Sequence, residues 1–184
     1  MNNKEDYAEV LDFWFAPEVS ARWFNATAEF DLDLRNRFET LWDAAKNQQL
    51  ESWKQSAESC LALAIVLDQF PLNMYRNQAK AFSTEAQAIS VSKHAIDQGF
   101  HLQLPTQQVA FLVMPLMHSE DLQDQDLSVT TFAQLNLGEN LKFAKHHQAI
   151  VERFARFPHR NSILGRSSTP EELEYLNSPD GFKG

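Results

Sequence analysis

Four of the eight arginines of this 184-residue chain fall between Arg153 and Arg166. His159 and Asn161 lie among them, and Phe154, Phe157, Ile163 and Leu164 run through the same stretch. A solvated charged face has no use for that many apolar side chains, so the spacing predicts a polar cluster pinned to a core. Arg156, Arg160 and Arg166, joined by Arg76, have the forked donors that hold a carboxylate or a phosphate. His159, or His118 beside Glu120 and Asp121, could act as general acid or base, the histidine tuned by the neighbouring carboxylate. Asp68 closes the most apolar run of the chain, where a carboxylate is costly unless paired; Arg76, Arg156 or Arg160 is the expected partner. The expected site is therefore His118, Glu120 and His159 for chemistry. Asp68, Arg76, Asp121, His147, Arg156, Arg160, Asn161 and Arg166 would bind the ligand.

Each of these groups also has a plainer reading. Ser119 could cap a helix, with Glu120 and Asp121 in its first turn facing the positive end of the dipole. His147, on an apolar helix face, could be a core residue satisfied locally. The arginines could be ion pairs that fix helix ends. His118, Glu120, Asp121, His147 and His159 carry atoms suited to zinc or manganese. No His-Glu-x-x-His helix or cysteine pair accompanies them, and nearby arginines repel a cation, so no metal and no cofactor is expected. Cys60 lies in an apolar run and reads as an inert thiol. Neither a Gly-x-Ser-x-Gly elbow nor a glycine-rich phosphate loop is present.

Helices must deliver these groups. Tyr7, Val10, Leu11, Trp14 and Phe15 form one stripe ended by Pro17, with Trp23-Phe24 as an aromatic plug beyond. Thr27 caps a long helix carrying Phe30, Leu34, Phe38, Leu41, Trp42 and Ala45. Cys60–Leu67 is apolar all round, as a central buried helix is, and Pro71 stops it. A helix over 83–98 should bury Ala86, Ile89, Lys93 and Ile96, and Gly99 ends it. Pro105 opens the next, which Pro115 kinks or ends. A helix over 120–135 turns Leu122, Leu127, Phe132 and Leu135 inward. The last long helix, 139–157, presents Phe143, His147, Ile150, Val151 and Phe154 before Pro158 breaks it. Thr169-Pro170-Glu171-Glu172 is a capping box with proline at the first helical position, docked by Leu173 and Leu176. No strand alternation or hairpin pair occurs. The fold class is all-α, seven or eight antiparallel helices in a single domain over 1–184, with 1–5 and 178–184 as loose ends. Phe70-Pro71-Leu72-Asn73 with Arg76 echoes Phe157-Pro158-His159-Arg160-Asn161 with Arg166. Two such helix ends could wall one pocket.

A chain of this length buries about 70% of its unfolded surface and needs no staple. The net charge of −9 argues against a nucleic-acid or anionic-membrane partner, and makes the arginine cluster a local contrast. The start lacks the regions of a signal peptide, and the longest apolar run is far short of a membrane span. A cytoplasmic setting is expected.

Several stretches together resemble the bacterial domain-of-unknown-function family number 924. They are Leu11-Asp12-Phe13-Trp14-Phe15, Trp23-Phe24, Leu67-Asp68-Gln69-Phe70-Pro71 with Asn73, Tyr75 and Arg76, and Pro115-Leu116-Met117-His118-Ser119-Glu120-Asp121 with Gln125. His147, Arg153-Phe154, Arg156-Phe157-Pro158-His159-Arg160-Asn161, and Leu164-Gly165-Arg166 with Thr169 and Glu171-Glu172 complete the set, so the likeness covers roughly residues 10–178. The resemblance implies an all-helical fold similar to tetratricopeptide superhelices and no established activity. The family usually has arginine where this chain has Leu72, and glycine where it has Ala155. Two functions fit these readings: a small-anion site with hydrolase- or lyase-like chemistry, or a helical scaffold whose arginines clamp an acidic peptide. The oligomeric state is left open.

Overall fold

The structure is a computed structural model describing residues 3–182, with the backbone alone for residues 3–6. Ten α-helices occur among them: α1 (Asn3–Trp14), α2 (Pro17–Ser20), α3 (Ala28–Lys46), α4 (Ala57–Leu67), α5 (Gln69–Met74), α6 (Glu85–Asp97), α7 (Thr106–His118), α8 (Leu122–Gln134), α9 (Gly138–Phe154) and α10 (Pro170–Asn177). Short 3-10 turns stand at Glu51–Gln55, Ala79–Phe82, Phe100–Leu102 and Pro158–Arg160. No strand is found among the described residues. The all-α expectation holds, and the two helices beyond the expected eight are the short α2 and α5. No helix among these residues is long and apolar enough to cross a membrane.

The apolar run forms α4, and every residue of it except Glu58 is buried. It packs against α1, α3, α6 and α7. Each fully buried Leu, Ile or Val there contributes about 1.5–3 kcal/mol. Pro71 explains where α4 stops. In a continued helix its ring would strike the carbonyl four residues back, at Leu67. That carbonyl instead accepts a 2.6 Å hydrogen bond from the buried Thr84 hydroxyl, which in turn accepts from Trp42 Nε1. The chain bends at Asp68 and starts again as α5, where Pro71 costs nothing because first-turn N–H groups have no helical acceptor.

Other boundaries differ from the expectation. Pro115 lies inside α7, which runs on to His118. Asp121, not Ser119, caps α8: its Oδ1 accepts from Gln123 N at 2.7 Å. Ser119 accepts from Asp121 N and donates to the buried Asp124 carboxylate. Glu120 and Asp121 thus precede the helix and do not form its first turn. The last long helix ends at Phe154, before Pro158, because Ala155 takes a left-handed conformation with φ +55°. The Thr169–Glu172 capping box forms as expected.

The inward stripes of four helices differ from the expectation. In α6 the buried residues are Ala88, Val91, Ser92 and Ala95; Lys93 points outward and pairs with Asp124. Small side chains let α6 approach both α4 and α7, and a search for large apolar residues passes over them. Phe143, Leu122 and Leu173 are exposed. In α10 the buried residue is Glu172, held by polar bonds. Trp23 is half-buried and donates Nε1 to Trp14 O, while Phe24 is 84% exposed.

The expected loose ends fall partly on residues 1, 2, 183 and 184, outside the described residues. Within them, Ser178–Phe182 folds back onto α10. Phe182 N donates to the Tyr175 hydroxyl, and a side chain at Gly181 would strike the Tyr175 carbonyl oxygen.

Candidate functional site

Asp68, at the bend between α4 and α5, is almost wholly buried. Its Oδ1 accepts from His118 Nδ1 at 2.8 Å, and its Oδ2 accepts from Gln69 Nε2 at 2.5 Å. The expected arginine partner is not there: Arg76 goes to Asp31, Arg156 to Glu172 and Arg160 to Glu85. The reason is placement. Pro71 turns the chain so that the end of α4 meets the end of α7, and α7 ends in His118. With Nδ1 donating to a carboxylate, Nε2 is the nitrogen left with a lone pair.

His118 forms part of the wall of a cavity of about 640 Å³. Arg160 enters the same wall with its guanidinium buried. Its Nη1 donates to Glu85 Oε2 at 2.8 Å and its Nη2 to the His118 carbonyl at 2.9 Å. The rings of Phe82 and Phe157 lie 4.8 and 4.5 Å from its central carbon. Burial pushes the Glu85 carboxyl up, and Arg160 opposes that shift. Arg76, at the rim, donates Nε and Nη2 to Asp31 and Nη2 also to Asn73.

Two further histidines complete the wall. His147 donates Nδ1–H to the Phe143 carbonyl one helical turn back, at 2.8 Å. Burial, which outweighs that bond, lowers its pKa to about 3. His159 is lowered to about 4, first by burial and then by the Arg160 charge. Phe182 covers both rings, at 4.7 Å from His147 and 5.0 Å from His159. Nothing in the sequence singled out Phe182 beyond its being an aromatic in a polar tail. Phe82 and Met114 of this wall, and Glu85 behind Arg160, were likewise passed over.

The remaining expected site residues lie elsewhere. Glu120 receives both Nη atoms of Arg166, at 2.6 and 2.9 Å, and the Phe157 N–H at 2.8 Å. Burial opposes its charge, but these donors outweigh it and hold the carboxyl below its usual range. Arg156 forks onto Glu172, which Asn161 and the Thr169 N–H also reach. Arg156 leads in drawing the Glu172 carboxyl down to about 2. Asp121 is the α8 cap. So Glu120, Arg156, Asn161 and Arg166 form a clamp with Glu172 beside the cavity, and neither they nor Asp121 are part of its lining. The two echoing segments do meet: Leu72, Asn73 and Arg76 face the space also lined by His159 and Arg160. Among the described residues no group of three or more His, Cys, Asp or Glu is placed to hold a metal ion.

The family described as Bacterial protein of unknown function (DUF924) matches residues 10–180. The chain belongs to that family. A solved structure of a protein of unknown function, ATU0120 from Agrobacterium tumefaciens, is 37% identical. The match covers 96% of this chain and 99% of that one, with a TM-score of 0.89. No curated protein matches. Leu72 lines the cavity, and Ala155 holds the left-handed turn that ends α9.

Proposed function

We propose that the cavity binds a small anionic molecule, a carboxylate or a phosphate, and performs acid–base chemistry on it. The observation that carries this reading is the Asp68–His118 hydrogen bond in the cavity wall. A buried carboxylate fixes the imidazole's orientation and tautomer and stabilises the imidazolium that forms when Nε2 takes a proton. In a hydrolytic step, a bound water gives its proton to Nε2 while its oxygen adds to the substrate carbon or phosphorus. The imidazolium then returns the proton to the departing group. Arg160 supplies the fixed charge near the anion, and Arg76 stands at the mouth. A cytoplasmic protein with neither nucleic-acid nor membrane partners belongs to the same proposal.

The scaffold reading is less well supported. Arg156 and Arg166, which would clamp an acidic peptide, are already engaged by Glu172 and Glu120.

A thermal-shift screen of small carboxylates and phosphates tests the proposal, followed by turnover assays on whatever stabilises the protein. His118→Gln is expected to keep binding and to lose about 10²–10⁴-fold in turnover. Asp68→Asn is expected to alter the pH profile of turnover as well as its rate. A screen in which no anion raises the melting temperature would remove the reading.

A further inference from the structure

We infer that the preferred ligand is a monocarboxylate with an apolar body, an aliphatic or aryl chain seated against the outer wall of the cavity. This rests on the reading of the cavity as an anion site and narrows it.

The charges facing the cavity favour a single negative charge. Arg160 is the one buried cation of the wall, and Glu85 already balances it at 2.8 Å. Arg76 is balanced by Asp31 at 2.8 Å. Leu72 lines the same space, so the α5 wall presents a methyl-tipped side chain where a cation would reinforce phosphate binding. His147 and His159 sit under Phe182, and burial keeps both neutral at ordinary pH. A phosphate dianion would face a near-neutral wall, whereas one carboxylate can share the Arg160 donors and the second N–H of the Asn73 amide, the Gln69 amide being engaged by Asp68 and Met114.

The outer wall favours an apolar body. Trp23, Phe24, Leu72, Phe82, Ile163 and Phe182 line it, and they come from segments far apart in sequence. Phe24 lines this mouth while remaining 84% exposed, an aromatic ring held in water beside an opening. A side chain so placed gains only when something apolar covers it. The volume of about 640 Å³ lies well within the range of small-molecule sites and far exceeds the needs of acetate or inorganic phosphate.

Calorimetric titration at fixed pH and ionic strength tests this with acetate, butanoate, hexanoate, phenylacetate, inorganic phosphate and hexanol. Affinity is expected to rise about fourfold per added methylene from acetate to hexanoate. Hexanoate should bind more tightly than phosphate or hexanol. Phe182→Ala and Leu72→Gln should each weaken hexanoate more than acetate, so that the gain per methylene shrinks. Leu72→Arg should shift preference toward phosphate. Anions that bind with no dependence on chain length, or phosphate binding tightest, would overturn this inference and leave the anion site standing. Hexanol binding as well as hexanoate would overturn the requirement for charge, and silence from every probe would remove both readings.

Discussion

Arg160 carries its charge into a wall that leaves 6% of the residue exposed, and four partners make that tolerable: Glu85, the His118 carbonyl and the rings of Phe82 and Phe157. Removing it strands Glu85 in a site where burial already raises the carboxyl. Arg160→Ala is expected to cost about 3–5 kcal/mol in urea unfolding, because one partner of a buried pair is left alone. Arg76→Ala, whose pair with Asp31 is half in water, is expected to cost less than about 1 kcal/mol. Equal losses would mean that the rim pair carries as much of the fold as the buried one. Residue chemistry of this kind was only half legible beforehand. Arginine, histidine and buried-carboxylate signals named Asp68, His118, His147, His159 and Arg160 correctly as polar groups in an apolar setting. Which carboxylate meets which cation was not readable, because pairing follows from how helix ends cross. Asp68 and His118 are fifty positions apart, and nothing local links them.

Helices were legible wherever large apolar residues recur at helical spacing, as in α1, α3 and α4. They were less so where small side chains do the packing. Ala88, Ser92 and Ala95 bury the face of α6 because they allow close approach, and a hydrophobicity pattern weights them lightly. The end of α9 was placed three residues late for another reason. Pro158 is the obvious breaker, but the chain leaves the helix at Ala155 with φ +55°. Glycine at that position avoids the steric cost of a Cβ in the left-handed region. Part of the gain is offset by the greater freedom of glycine in the unfolded chain. Ala155→Gly is expected to stabilise the protein by about 0.5–1 kcal/mol, read as a higher urea midpoint with an unchanged slope. A loss of stability would show that the turn is not strained by alanine.

The folded molecule as a whole should respond to acid through the histidines of its cavity. His147 and His159 bind protons only below about 3 and about 4 when folded, against an ordinary value near 6.5. Between about pH 6.5 and 4 the unfolded chain therefore holds protons that the folded chain does not, and stability falls as pH falls, by at most about 1.4 kcal/mol per pH unit for each histidine. Glu85, raised in the fold, works in the opposite sense, as one group against two. Glu39 and Glu172, held near 2, add a further loss below about pH 4.5. Melting temperatures at pH 7.5, 6.0 and 5.0 should decline, and His147→Gln should flatten the decline; a profile level down to pH 5 would contradict the burial of these rings. One carboxylate has a reach that its helix cap does not suggest. Glu172 gathers Arg156, Asn161 and the Thr169 N–H, α10 carries Tyr175, and the Tyr175 hydroxyl holds the Phe182 backbone over two histidines of the cavity. The C-terminal segment should therefore open and close as one cooperative unit by local unfolding, with the rest of the molecule still folded. Entry to the cavity from that side is then governed by the stability of a helix that contributes no residue to its lining.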